Sequence, residues 1–175
     1  AATLGLGFFA HKLFYSGSAA LAHGAYWLYC ALWGAMIAPM VYVFLSKGMA
    51  GVVGQAFFIA AATFAATSLV GYTTKKDLSG MGTFLIMGLV GLIVASLANL
   101  WFQSGTMSWV ISSVGVLIFA GLTVYDTQMI KNTYLQLRAS DSDFIGKAAI
   151  MGALNLYLDF INMFQFLLSF MGNRD

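Results

Sequence analysis

The sequence has no glutamate, one cysteine, one proline and few charges, and each shortage removes a class of protein. Only 8% of its 175 residues are charged and 61% are hydrophobic, against about 25% and about 45–50% in soluble domains. With the one thiol, Cys30, no disulfide can form within the chain and no thiolate cluster can hold a metal. Lying in an apolar run, Cys30 reads as a small buried hydrophobe. A net charge of +2 is too small to imply a nucleic-acid partner. Glycine-rich phosphate loops, nucleophile elbows and helical His-Glu zinc motifs are absent. His11 and His23 have no companion at ligand spacing and read as interfacial. No cofactor and no enzymatic activity are expected.

What is present is a series of long apolar runs. A spanning helix needs about 20 mostly apolar residues. Five segments qualify, at about 24–46, 52–72, 82–102, 107–130 and 145–172. Residues 1–9 are apolar but too short, and read as the end of a further helix of a longer protein. Strand-type alternation is missing, so helices are expected and not a barrel. The fold class is therefore an all-α polytopic transmembrane bundle, one domain over 1–175, with the lipid bilayer as its first partner. Gly82, Gly88, Gly91 and Ala95 on one helix, and Gly115 and Gly121 on another, suit close helix packing. Pro39 interrupts the first span and should kink it, lining a cavity or serving structure alone.

Charge placement sets an orientation. Lys12, Lys75, Lys76, Lys131, Arg138 and Lys147 fall on one side, Lys47 and Arg174 on the other. The positive-inside rule puts the loops at 11–23, 73–81 and 131–144 in the cytoplasm and the C-terminus outside.

Two carboxyls stand out, because a charge at membrane depth costs about 2.5–3.5 kcal/mol on insertion scales. Asp126 lies in the fourth full span and Asp159 in the fifth. If these spans form a hairpin, the midpoint of the two residues falls at 142–143, in the polar stretch Ala139-Ser-Asp-Ser-Asp143. The carboxyls should then face each other at one depth. Asn155 and Asn162, four before and three after Asp159, share its helix face, and Tyr125 and Gln128 flank Asp126. Two carboxyls in a low dielectric cannot both ionise cheaply, so the pair should share a proton and titrate in coupled steps. It could tie helices together, serve an ion path or proton sensor, or bind Ca²⁺ weakly. Ca²⁺ takes about 6–8 oxygens, more than two aspartates supply. Intramembrane aspartyl proteases also use two aspartates, and Tyr125-Asp126 is similar to one of their motifs. Leu156-Tyr-Leu stands where their Gly-x-Gly would precede Asp159, and Pro39 is followed by Met40, not by Ala-Leu.

The runs Gly71-Tyr-Thr-Thr-Lys-Lys-Asp-Leu-Ser79, Phe119-Ala-Gly-Leu-Thr-Val-Tyr-Asp-Thr-Gln128 and Gly152-Ala-Leu-Asn-Leu-Tyr-Leu-Asp-Phe-Ile-Asn-Met-Phe164 resemble the bacterial branch of the Bax inhibitor-1 family. The similarity runs from about residue 24 to the end. It implies a seven-helix membrane protein, of which this chain holds five full spans and part of another. It also implies a pH-sensitive Ca²⁺ leak in the bacterial inner membrane, with Asp126 and Asp159 as sensor and gate. In eukaryotes the family is associated with suppression of cell death. Some members pair the first aspartate with an arginine on an early helix; no motif here equates Lys12 with it. Other bacterial members partner a membrane-bound quality-control protease, which gives the rival reading: a non-transporting interaction protein.

Overall fold

The structure, a computed structural model, describes residues 19–137 and 142–172. Among these every element is a helix: α1 (Ala19–Ser46), α2 (Ala50–Thr73), α3 (Ser79–Phe102), α4 (Gly105–Leu137) and α5 (Ser142–Gly172). All five hold a stretch long and apolar enough to cross a membrane. Helices are the economical answer for such runs, since each satisfies its own backbone hydrogen bonds where no water can. The outward faces are as apolar as the core: Trp101 is 86% exposed, Phe58 73% and Leu117 71%. In water such a surface would drive aggregation; against lipid tails it is the expected coat.

α4 and α5 share the most extensive interface, and the rest is arranged about them. α2 packs on both, α1 on α5 and α2, and α3 on α4 alone among the described helices. Small residues set the closest approaches. A Cβ on Gly115 would stand 2.6 Å from the Phe166 ring, and one on Gly82 2.5 Å from the Tyr125 ring. Gly91 has open space around it and takes no part. α1 runs unbroken through Pro39, which is exposed.

Neighbour pairs give the chain direction. Tyr157 bonds to Cys30 and Gly172 meets Phe44, so α1 and α5 run parallel. Phe57 packs on Phe164 and Phe64 on Phe160, so α2 opposes α5. One side of the bundle therefore carries the ends at 73, 79, 137 and 142, with Lys75, Lys76 and Lys131. The other carries Lys47. Below, the first is the lysine-bearing side.

The helices outrun the expected spans, most clearly in α4. Residues 131–137, expected in a polar loop, continue the helix to Leu137. Thr-Tyr-Leu-Gln-Leu contains no glycine or proline, so nothing stops the helix when the apolar run ends. At 1.5 Å per residue its 33 residues span about 50 Å, more than the roughly 30 Å hydrocarbon core. Residues 1–18, with the expected partial helix at 1–9, His11 and Lys12, lie outside the described residues. So do Arg138, Asp141, Arg174 and the side chain of Asp143.

Candidate functional site at the seam of α4 and α5

The register of the hairpin can be read from five contacts. Trp109 packs on Phe170, Phe119 stacks on Phe166, Gly115 meets Phe166, Thr123 meets Asp159 and Gly152 meets Ile130. Their midpoints cluster near residue 141, in the connection. Thr123 is thus the residue directly across from Asp159, and Asp126 lies one turn nearer the lysine-bearing side. Three residues apart on one helix, Thr123 and Asp126 share a face. Asp159 is only 4% exposed and within electrostatic range of Asp126. Asp126 is half-buried.

The surroundings leave one carboxyl oxygen unanswered. Oδ2 of Asp159 is buried without a hydrogen-bond partner. Thr123 is fully buried, and its hydroxyl donates to the Phe119 carbonyl of its own helix at 2.8 Å. The same hydroxyl lies within hydrogen-bonding reach of the Asp159 carboxyl. A buried polar atom lacking a partner costs about 1–3 kcal/mol, so each such atom asks for an explanation. Two others are buried and unpaired among the described residues: Oγ of Ser68 and Oγ1 of Thr127. Gly71 lies against Val124 and Thr127. Ser68, one turn earlier on α2, is therefore level with Thr123. The unpaired atoms thus belong to three helices that meet beside Asp159.

The residues flagged from sequence divide into those near this junction and those turned away. Gln128 is buried, but its amide is spent on the α2–α3 connection. Its Oε1 accepts from the Leu78 N–H at 3.1 Å and its Nε2 donates to the Lys76 carbonyl at 2.7 Å. It is a staple for that loop and not a support of the carboxyls. Tyr125 packs its ring into the notch left by Gly82 on α3, also away from Asp159. Asn162 donates to Leu158 of its own helix at 2.8 Å. Asn155 lines a cavity on the lysine-bearing side. Sequence reasoning passed over Thr123, Thr127 and Ser68. The available signal was that Thr123 and Thr127 lie three before and one after Asp126.

No group of three or more His, Cys, Asp or Glu forms among the described residues. A divalent cation here would have to complete its shell with hydroxyls, carbonyls and water.

The class is now defined: a polytopic helical membrane protein with a buried carboxyl, Asp159, and a half-buried one, Asp126, on two neighbouring helices. Residues 1–175 match the family model described as inhibitor of apoptosis-promoting Bax1, and the chain belongs to the Bax inhibitor-1 family. It is 43% identical over 157 residues to the inner membrane protein YbhL of Escherichia coli K12, covering 90% of this chain and 65% of that protein. A Caulobacter vibrioides protein is 44% identical over 155 residues, covering 88% and 60%. A membrane protein of Streptococcus pyogenes is 49% identical over 121 residues, covering 69% and 52%. The chain thus spans 65% of the length of YbhL and less of the other two.

Proposed function

We propose that this protein is a passive, pH-gated cation pathway, with Ca²⁺ as the ion, in which Asp126 and Asp159 act as sensor and gate. The observation that carries the reading is the Asp159 carboxyl, buried between α4 and α5 within electrostatic range of Asp126, one oxygen without a partner. A shared proton makes a short charge-assisted hydrogen bond, direct or through one water, that clamps the two helices. Loss of that proton leaves two repelling carboxylates in a poorly solvated seam, which favours separation, hydration or capture of a cation. Full protonation removes the shared charge and also weakens the clamp. Asparagine at either position keeps the shape and abolishes one titration.

The setting we propose is a bacterial inner membrane, as the name of YbhL states for that protein. The lysine-bearing side faces the cytoplasm by the positive-inside rule. No resident cofactor and no peptidase chemistry belong to this reading; the ion is cargo. The test is Ca²⁺ flux into liposomes carrying the purified protein, measured over a series of pH values around neutrality. Wild type should show pH-dependent flux, and Asp126→Asn and Asp159→Asn should each lose most of that dependence. Absence of flux at every pH would overturn the reading in favour of an interaction protein that modulates another membrane complex, such as a membrane-bound protease.

A further inference from the structure

The halves of α4 and α5 nearest the lysine-bearing side, with Tyr72 of α2, border a half-open cavity of about 600 Å³. Its walls are mostly apolar, but its polar residues are not scattered evenly. Lys131, Tyr134 and Ala149 line its outer part, while Thr127 and Asn155 line the part closest to the carboxyls. Thr127 follows Asp126 directly, and Asn155 precedes Asp159 by four residues, about 6 Å along a helix. Lys131 is held aside, its Nζ donating to the Tyr72 carbonyl at 2.7 Å and lying 5.3 Å from that ring's centre. Past Thr127 come the unpaired buried atoms: its own Oγ1, Ser68 Oγ and Asp159 Oδ2.

A space this size holds many waters, and water persists where it finds about 2–4 polar partners. At the inner end the Asn155 amide offers one such partner, and the three unpaired buried atoms, Thr127 Oγ1 among them, lie just beyond. We propose that the cavity is an aqueous vestibule entered from the lysine-bearing side, and that water reaches Asp126 and Asp159 between Thr127 and Asn155. The proposal deepens the cation-pathway reading and rests on it for what travels, but the vestibule itself can be tested without flux.

Single cysteines at Thr127, Asn155 and Ala149, in a Cys30→Ala background, report on water directly. A charged, membrane-impermeant methanethiosulfonate is added to either side of vesicles of known orientation, and modification is followed by mass. Leu117→Cys, on the lipid-facing surface of α4, sets the background. Thiols at 127 and 155 should react faster than that at 117 by on the order of tenfold or more, and only from the lysine-bearing side. Reaction at 149 with background rates at both 127 and 155 would overturn the proposal, leaving a shallow groove filled by lipid. Background rates at all three, or reaction from the opposite side, would do the same. Thr127 and Asn155 read one depth from different helices, so loss of one variant to misfolding leaves the test intact. Fast thiols without Ca²⁺ flux would remove the cation reading and keep the vestibule. Slow thiols with pH-dependent flux would do the reverse.

Discussion

The same two helices behave differently on the two sides of Asp159. From Ile111 to Thr123 on α4, and from Met163 to Leu168 on α5, the seam is filled. Ile118, Phe119, Leu122, Met163, Phe164, Leu167 and Leu168 are all buried, and Phe166 occupies the notch at Gly115. From Thr127 to Leu137 and from Ile145 to Leu156 the helices border a cavity. The carboxyls stand where one regime gives way to the other. A titratable pair deep in the filled half would be inaccessible, and one at the open end would be solvated and ordinary. At the boundary, a change of charge would act on packing and, through the vestibule proposed above, stay within reach of water. The difference teaches that burial alone does not make Asp159 a candidate gate; the contrast around it does.

The largest expected effect comes from breaking the filled half. Gly115→Val places its side chain against Phe166, where the near ring atoms cannot swing away. Overpacking of this kind costs about 1–3 kcal/mol, and should appear as a lower midpoint of thermal unfolding in detergent. An unchanged midpoint would mean that the seam is looser than its geometry. Next in size is Thr123→Val, which keeps the shape and removes the hydroxyl facing Asp159. It should cost about 0.5–1.5 kcal/mol in the same assay, with Thr123→Ser restoring most of the loss. An unchanged midpoint in the valine variant would show that the hydroxyl contributes nothing to the seam.

Adding bulk to the open half should do far less. Ala148 lines the cavity, so leucine there has room. The change in stability should stay within about 0.5 kcal/mol, the ordinary range for sites without tight contacts. A loss as large as that of Gly115→Val would erase the contrast between the halves.

Much of this arrangement was legible in the sequence, for identifiable reasons. Spanning helices follow from run length, and the nearness of Asp126 and Asp159, though not a shared level, follows from symmetry about a polar turn. The true register differs by between one and two residues in its midpoint, enough to put Thr123 opposite Asp159 and Asp126 a turn away. Thr123 was invisible because threonine in a membrane helix can satisfy itself on the carbonyl four residues back, as it does here with Phe119. Its neighbour across the seam depends on packing. Gln128 differs from its expected place for a similar reason: spacing puts it near Asp126, but its partners come from a loop some 50 residues earlier, which no local pattern reports. The stretch 131–137 reads as a loop because its polar composition ends a membrane span, but polar composition does not end a helix.

The smallest predicted effect lies outside the membrane, at the start of α3, and serves as the reference against which the seam is judged. Asp77 accepts from the Ser79 hydroxyl at 2.6 Å and from the Ser79 N–H at 3.0 Å. These bonds, the hydroxyl's first, hold its carboxyl below the ordinary value of 3.8. Its charge also faces the positive end of the helix dipole. Because the folded value is the lower one, the stabilisation is fully present above the unfolded value and is lost as pH falls through the folded one. Asp77→Asn keeps an acceptor but loses the charge. Its unfolding midpoint should therefore lie slightly below wild type at neutral pH, with a gap that stays constant down to ordinary carboxylate pH and closes below it. Since Asp77 is fully exposed, salt should shrink the gap by screening. A gap that persists in acid or ignores salt would show that the asparagine perturbs the turn itself, and that charge at this helix start contributes nothing.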